Sequence, residues 1–432
     1  MEDAMLAEMM AVAALAQCVP VRWPAGWGPD ELRLLEKTPF NCVVVDGGGW
    51  GREMAAAAAS KGVVAVAVRG SEAEKGPAAE GGVVELTPRV AMSGTSGEVA
   101  GTNQGLWPGI RVEHGGKVEA RPTGGPWVET NSGFLRYVRI AAPGKAVWIA
   151  NRVPKGVVVD GKKHVHALAD AASAGARWVV DLEAGLAEGM KKGDARALAD
   201  WERIVAAARF YEVHKQYSEW RDGGGLALVE DERTGALLSG GISDMIVAKH
   251  IPLRLVKPEQ LGAAQGTGIR MILNVDPQML TPEQTEQVRS IARAGGTLVN
   301  GPPGWKMALP EGGAIVFGEE QLKQLDGVWR EVNGLIGRRN FGIRVFGAPG
   351  MLSNLKLSPE RSRAAVHLVN YTDYPVETIT IQTTEKWSSA RLLTPKGEKA
   401  LELYAGEEGM AFDIDRVEDV AIVVLERAQP KR

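Results

Sequence analysis

The chain has 432 residues, 45% of them hydrophobic and 24% charged, with a formal net charge of -3, the composition of an ordinary globular protein with room for about three domains. No basic field suited to nucleic acid is present, and no apolar run approaches the ~20 residues of a membrane-spanning helix. With Cys18 and Cys42 as the only cysteines, a disulfide framework and a four-thiolate zinc site are excluded, while a single bridge stays open.

The opening "MEDAMLAEMMAVAALAQC" is apolar but carries Glu2 and Asp3 where a secretory leader carries positive charge. It reads as a helix packed on the first domain. A leader already removed would place the protein in the periplasm or outside the cell; otherwise it is cytoplasmic.

Next, "CVVVDGGGWGREMAAAAASKGVVAVAVRG" (42–70) reads as strand, glycine-rich turn, helix and strand. A dinucleotide-binding turn needs G-x-G-x-x-G/A, and the frame starting at Gly47 puts Arg52 where the third small residue belongs. The acidic ribose partner would have to be Glu72, in a loop beyond Arg69. A nucleotide-dependent oxidoreductase is therefore the weaker reading beside a plain strand-to-helix crossover.

Up to residue 220, strands are expected at "NCVVVD", "VVAVAVR", "VVELTPRVAM", "IRVE" or "KVEARP", "KAVWIAN" and "ARWVVDLE", with "SGTSGEVAGTNQGLWPG" and "RPTGGPWVETNSG" as long loops. "HALADAASAGA" is helical. In "DARALADWERIVAAARFYEVHKQYSEW", Leu198, Trp201, Val205, Ala208 and Tyr211 share one helical face. Repeated strand-helix units imply parallel strands, and seven or eight of them close a barrel whose active face is built from loops at the strand C-termini.

"RDGGG" (221–225) breaks the pattern. After it come "LALVED", a helix around "GALLSGGISDMIVAKH", "PLRLV", "IRMILNV", the helix "TPEQTEQVRSIARAGG", "TLVNGPPG" and "GAIVFG", a small doubly wound sheet. Thr281 is a natural N-cap with Pro282 at the first helical position, Gln284 closes a capping box, and Gly295 ends the helix. Beyond residue 338 the period changes to two in "RAAVHLVNY", "VETITIQT", "SARLLT", "ALELYA", "MAFDID" and "VAIVVLE", an antiparallel sandwich. The expected domains are thus 1–220, a (β/α)8-like TIM barrel; 221–337, a flavodoxin-like α/β domain; and 338–432, a β-sandwich.

Three stretches carry a resemblance. "ILNVDPQMLTPEQTEQVRSIARAGGTLVNGPPG" is similar to the flavodoxin-like trimerisation domain of microbial β-galactosidases. "AVHLVNYTDYPVETITIQ" resembles the terminal β domain of many glycoside hydrolases, and "TNQGLWPGI" with "PTGGPWVETNS" resembles glycosidase-type barrels. The resemblance implies a bacterial glycoside hydrolase that acts on carbohydrate without a cofactor and assembles as a homo-oligomer through its middle domain. Barrel glycosidases of that clan use a glutamate preceded by asparagine as acid/base, and this chain has no Asn-Glu dipeptide. The middle domain also resembles class I glutamine amidotransferases in fold; their nucleophilic cysteine is missing, since no cysteine follows Cys42, which leaves a scaffold role.

Glycoside hydrolysis needs two carboxyl groups, one a proton donor and the other a nucleophile or base. Candidates at strand ends are Glu129, Glu183, Asp181 and Asp46, then Glu119 and Glu98; salt bridges or helix caps would explain any one of them. Gln104, Asn131 and Asn151 suit sugar hydroxyls, and Trp50, Trp107 and Trp127 suit stacking on a pyranose face. Arg52 and Arg69 suit an acidic sugar or an ion pair. In "KHVHA", His164 and His166 would face one side if extended, but no acidic partner stands at metal spacing and packing histidines suffice. The competing reading is a degenerate barrel that binds glycans or organises an assembly without catalysis.

Overall fold

A computed structural model describes residues 15, 17–24, 26–45, 51–69, 83–95, 97–108, 111–112, 118–119, 130–153, 159–234, 241–264, 266–302, 319–337 and 340–428. The chain divides into two compact units, Met1–Arg121 with Ala141–Lys215 and Pro122–Ile140 with Gln216–Arg432.

The first unit is a parallel barrel. Its strands are β1 (Pro20–Arg22), β2 (Cys42–Val45), β3 (Val64–Arg69), β4 (Val83–Thr87) and β5 (Val99–Thr102); after a small antiparallel hairpin, β6 (Arg111–Val112) and β7 (Val118–Glu119), come β8 (Ala146–Ile149), β9 (Arg177–Trp178) and β10 (Val180–Asp181). The sheet runs β10-β1-β2-β3-β4-β5-β8-β9, parallel at every step. Only Val179 separates β9 from β10, so segment 177–181 pairs through its first half with β8 and through its second half with β1. One stretch of chain thereby supplies both ends of the eight-piece sheet and closes it into a TIM-type barrel.

Cys18, Cys42, Val44, Val66, Val84, Leu86, Val99, Trp148, Ala150 and Val179 pack with Leu15 into one cluster. It contains no residue of the flanking helices Arg52–Ser60, Gly161–Ser173 and Ala195–Val213, so it fills the barrel's interior, as the alternation of side chains along β-strands requires. A Cys18–Cys42 disulfide lies within it.

Several expectations change here. β1 is too short to stand out by periodicity. β5 lies inside the stretch read as a loop, because Val99–Thr102 carries Gly101, whose Cβ would meet Leu86 Cδ2 at 2.7 Å; glycine there marks close strand packing and not a turn. "IRVE" and "KVEARP" form the hairpin and no barrel strand, and "VVELTPRVAM" leaves β4 at Thr87 for a 3-10 turn over Arg89–Gly94. The first segment's last helix ends at Val213, before a short helix Lys215–Glu219. The N-terminal helix proposed for residues 1–18 lies mostly outside the described residues.

The second unit holds a four-stranded parallel sheet with order β13-β12-β14-β15, from β11 (Arg221–Asp222) onward being β12 (Leu226–Val229), β13 (Leu253–Val256), β14 (Met271–Asn274) and β15 (Thr297–Asn300). This is the flavodoxin-type order, reversing direction between β12 and β14. Helix Pro282–Arg293 starts as its residues dictate: Thr281 Oγ1 accepts from Gln284 N at 3.2 Å, and Gln284 Oε1 accepts from Thr281 N at 2.9 Å. Gly295, just beyond it, takes φ 100°, a conformation that favours glycine. "GAIVFG" lies outside the described residues, and helix Glu319–Leu335 follows, an element with no counterpart in the sequence reading.

Nine strands complete the chain: β16 (Ile343–Phe346), β17 (Met351–Leu357), β18 (Arg363–Asn370), β19 (Val376–Thr383), β20 (Ser389–Thr394), β21 (Gly397–Leu401), β22 (Tyr404–Gly406), β23 (Gly409–Val417) and β24 (Val420–Glu426). They form antiparallel sheets β11-β17-β18-β24-β20-β21 and β16-β19-β23-β22. Val366, Leu368, Val423 and Leu425 of the first sheet pack with Ile379, Ile381, Phe412 and Ile414 of the second, which makes a sandwich. The "RDGGG" break thus includes β11, an edge strand of that sandwich.

A buried charge cluster ties the second unit together. Asp222 of β11 lies 2.9 Å from Arg136, on helix Ser132–Ala141, and 2.8 Å from Lys356 of β17. Burial opposes the charge on Asp222, but Arg136 and Lys356 hold its carboxyl below the usual carboxylate range. Burial pushes Lys356 down to about 8, against the pull of Asp222.

The disulfide closes a loop with a sequence separation of 24, for which chain-entropy reasoning gives about 3 kcal/mol. Cys18→Ala/Cys42→Ala is expected to lower unfolding stability by that order, and reduction of the wild type to reproduce the loss, as read by urea unfolding with and without dithiothreitol.

Candidate active site at the carboxyl ends of the barrel strands

Arg22 ends β1 and Asp181 ends β10, and the two are register partners. Their side chains therefore emerge side by side at the mouth of the barrel, with Arg22 Nε 3.5 Å from Asp181 Oδ1. Arg152, three residues beyond β8, places a guanidinium nitrogen 3.3 Å from the same oxygen. Asp181 is 7% exposed and Arg22 5%, so a carboxylate between two cations sits at the floor of the mouth. A buried charge is tolerated only when compensated in this way.

Glu183, two residues on, is half-buried and caps helix Ala184–Lys192: its carboxylate accepts from Leu186 N at 2.6 Å and Gly185 N at 2.8 Å. The backbone thus holds it in one orientation.

Around these carboxylates the loop after β5 is pressed onto neighbouring strand ends. Gly105 N donates to Ala150 O at 2.8 Å, and Asn151 Nδ2 donates to Gly105 O at 2.6 Å. A Cβ at Gly105 would meet Trp178 at 2.7 Å and Ile149 at 2.9 Å. Gln104 is exposed beside this contact, its Oε1 accepting from Arg89 N at 2.9 Å and its carbonyl from Arg89 Nε at 2.7 Å. Trp107 is 5% exposed. Its Nε1 donates to Arg152 O at 3.1 Å, and its ring meets Trp178 and His164 edge-on at 4.9 and 5.3 Å. That indole is engaged in packing, where it holds the backbone of Arg152.

Of the remaining sequence candidates, Asp46, Trp50, Trp127 and Glu129 lie outside the described residues. Arg52 opens helix Arg52–Ser60, Arg69 ends β3 and Glu119 ends β7; their side chains are outside the description as well. Glu98 is exposed just before β5. Asn131 is fully buried and belongs to the second unit. His164 and His166 lie on helix Gly161–Ser173 and not on an extended segment, so they diverge around the helix. Burial drives His164 down to about 4 and His166 well below its ordinary range, leaving neutral imidazoles. Among the described residues no cluster of His, Cys, Asp and Glu is arranged to hold a metal, and no helix is long and apolar enough to cross a membrane.

Sequence reasoning missed Arg22, Arg152 and Trp23. Trp23 follows β1 directly and is half-buried, standing edge-on to Trp27 with centroids 5.2 Å apart. The available signal was "VPVRW": a short apolar run ending in an arginine and a tryptophan.

The second unit holds, besides Asp222, a further carboxyl displaced from its ordinary range. Glu230 follows β12, is 2% exposed, and is pushed up to about 8 by burial and by the neighbouring Asp231. Burial, and then the charges of Glu232, Asp231 and Glu230, raise the Tyr137 hydroxyl. Because the folded-state value exceeds that of an unfolded glutamate, Glu230 stabilises the fold fully below about pH 4.5. This contribution declines by roughly 1.4 kcal/mol per pH unit as pH rises towards 8. Urea unfolding at pH 5 and pH 8 should show wild type losing stability over this interval and Glu230→Gln losing less.

No family model matches the chain, and no curated protein matches it in sequence. In structure it is similar to α-L-fucosidase isoenzyme 2 from Paenibacillus thiaminolyticus, with a TM-score of 0.60, 11% identity and coverage of 95% of this chain and 99% of that one. Further matches are a rhamnosidase from Novosphingobium sp. (TM-score 0.46, 11% identity, 88% of this chain and 39% of that one) and a GH42 β-galactosidase from G. stearothermophilus (0.45, 8%, 87% and 66%). The likeness to the fucosidase is one of fold.

Proposed function

We propose that the protein is a glycoside hydrolase working by a two-carboxylate mechanism at the C-terminal face of its barrel. The observation that carries this reading is the delivery of Asp181 and Glu183 by one strand end to the barrel mouth, where catalytic groups of such barrels reside. The end-to-end likeness to a fucosidase supports a carbohydrate substrate.

In this reading Asp181, compensated by Arg22 and Arg152, is the negatively charged partner that faces positive charge developing at the anomeric carbon. Glu183, Glu129 or Asp46 supplies the second carboxyl as proton donor. Gln104 and Asn151 bind sugar hydroxyls; Asn131, fully buried and in the second unit, takes no part. Trp50 and Trp127 are the candidates for stacking on a sugar ring, and Arg52 and Arg69 those for an acidic group on it. Residues 221–337 serve assembly into a homo-oligomer.

A second reading, a barrel that binds glycans without cleaving them, is favoured by the engagement of both Glu183 oxygens with backbone N–H groups and by the lack of an Asn-Glu pair. Incubation with a panel of aryl glycosides and natural oligosaccharides, with binding measured in parallel, separates the two. Turnover on one member of the panel is expected, and binding alone would establish the second reading. Glu129→Gln or Glu183→Gln is expected to reduce turnover by about 10²–10⁴-fold with unchanged circular dichroism. Full activity in both variants would refute this carboxylate assignment.

A further inference from the structure

The outward face of the smaller sandwich sheet carries a patterned set of side chains that the barrel chemistry does not use. Phe412 and Ile414 of β23 and Ile379 and Ile381 of β19 point into the sandwich core, so Ala411, Asp413, Thr380 and Gln382 point outward. The register places Phe346, Thr380 and Asp413 in one row across the sheet, and Arg344, Gln382, Ala411 and Tyr404 in the next.

Two aromatic rings are exposed on this face, Phe346 at 38% and Tyr404 at 41%. Tyr404 is the register partner of Ala411, yet its hydroxyl donates to Asp413 Oδ1 at 3.0 Å, two residues along. Ala411, although outward-facing, is only 1% exposed. Tyr404 thus reaches across to β23 while staying 41% exposed. Asp413 Oδ1 also accepts from Thr380 Oγ1 at 2.6 Å, which fixes the carboxylate that pins the ring. At the opposite edge the Arg344 guanidinium stacks on Phe346 at 4.8 Å, holding that ring as well. Between the two rings stands the half-exposed amide of Gln382.

Phe346 and Tyr404 stand on β16 and β22, the two edge strands of this sheet, whose backbones are three interstrand spacings, about 14 Å, apart. An immobilised flat ring at each end with planar hydrogen-bonding groups between them matches a chain of linked sugar rings, whose alternating apolar faces and hydroxyls need that combination. The mixture of charge and hydrogen-bonding groups distinguishes it from an apolar protein-docking face. We propose that this face binds an extended neutral polysaccharide, as a second carbohydrate site separate from the barrel mouth. The proposal rests on the carbohydrate reading above only for the kind of substrate being held; binding here needs no turnover.

The test is affinity electrophoresis of the full chain in gels containing a neutral β-glucan, xylan or galactan, alongside Phe346→Ala, Tyr404→Ala and the double variant. Retardation of wild type by at least one polymer, weakened tenfold or more in the double variant, is the expected result, with turnover of small aryl glycosides unchanged. Gln382→Ala, which removes only a half-exposed amide, should weaken retardation too and serves if an aromatic variant fails to fold. Wild type that no polymer retards, or variants retarded equally, would overturn the proposal. So would a shift of the double variant to a smaller species in sedimentation without glycan, since the face would then join copies of the chain. Loss of retardation in the variants of a protein without glycosidase activity would refute the hydrolase and leave this site standing.

Discussion

Closure of the barrel depends on segment 177–181, which must satisfy two neighbours at once. Its first two residues hydrogen-bond along β8 and its last two along β1, with Val179 turning between them into the interior core. A parallel sheet left open here would expose backbone donors and acceptors on two edges. The same constraint positions the chemistry: pairing Val21 with Val180 obliges Arg22 to meet Asp181 at the mouth, and the next two residues bring Glu183 to the adjoining helix start. Strand pairing and the placement of charge are consequences of one register.

The second unit solves a different problem. Helix Ser132–Ala141, although flanked in sequence by barrel strands, belongs to it. Gly133 N donates to Asp244 Oδ1 at 2.6 Å, so a carboxylate on helix Ile242–Ala248 satisfies a free donor at the helix start. Further along, Arg136 meets Asp222 and Lys356. Buried ion clusters of this kind add little net stability but penalise any arrangement that leaves one charge alone, and here they specify how an inserted helix, an edge strand and the sandwich fit together.

The barrel mouth and the outward face of the smaller sandwich sheet differ in how they are built. At the barrel mouth, Arg22 and Asp181 are buried and compensate one another's charge. On the sandwich, exposed rings are held from the side, Tyr404 by a hydrogen bond to Asp413 and Phe346 by the Arg344 guanidinium. Trp107 illustrates the limit of residue-type reasoning. Tryptophan in a glycine-rich loop points equally to stacking or packing, and its contacts with His164, Trp178 and the Arg152 carbonyl commit it to packing.

The sequence by itself determined the class of each segment, because periodicity is local: apolar runs alternating with helices read as parallel α/β, period-two runs read as sandwich, and the Thr281 capping box was legible to the atom. It also presented Asp181 and Glu183 as candidates, since both follow an apolar run. Tertiary structure alone decided the rest. β1 and β5 are three or four residues long and exist because neighbours on both sides pair with them, which no local pattern records. Arg22 and Arg152 converge on Asp181 from positions far apart in the chain, and Asn131 is taken into the other unit, because side-chain proximity across strands follows from register and not from spacing along the sequence.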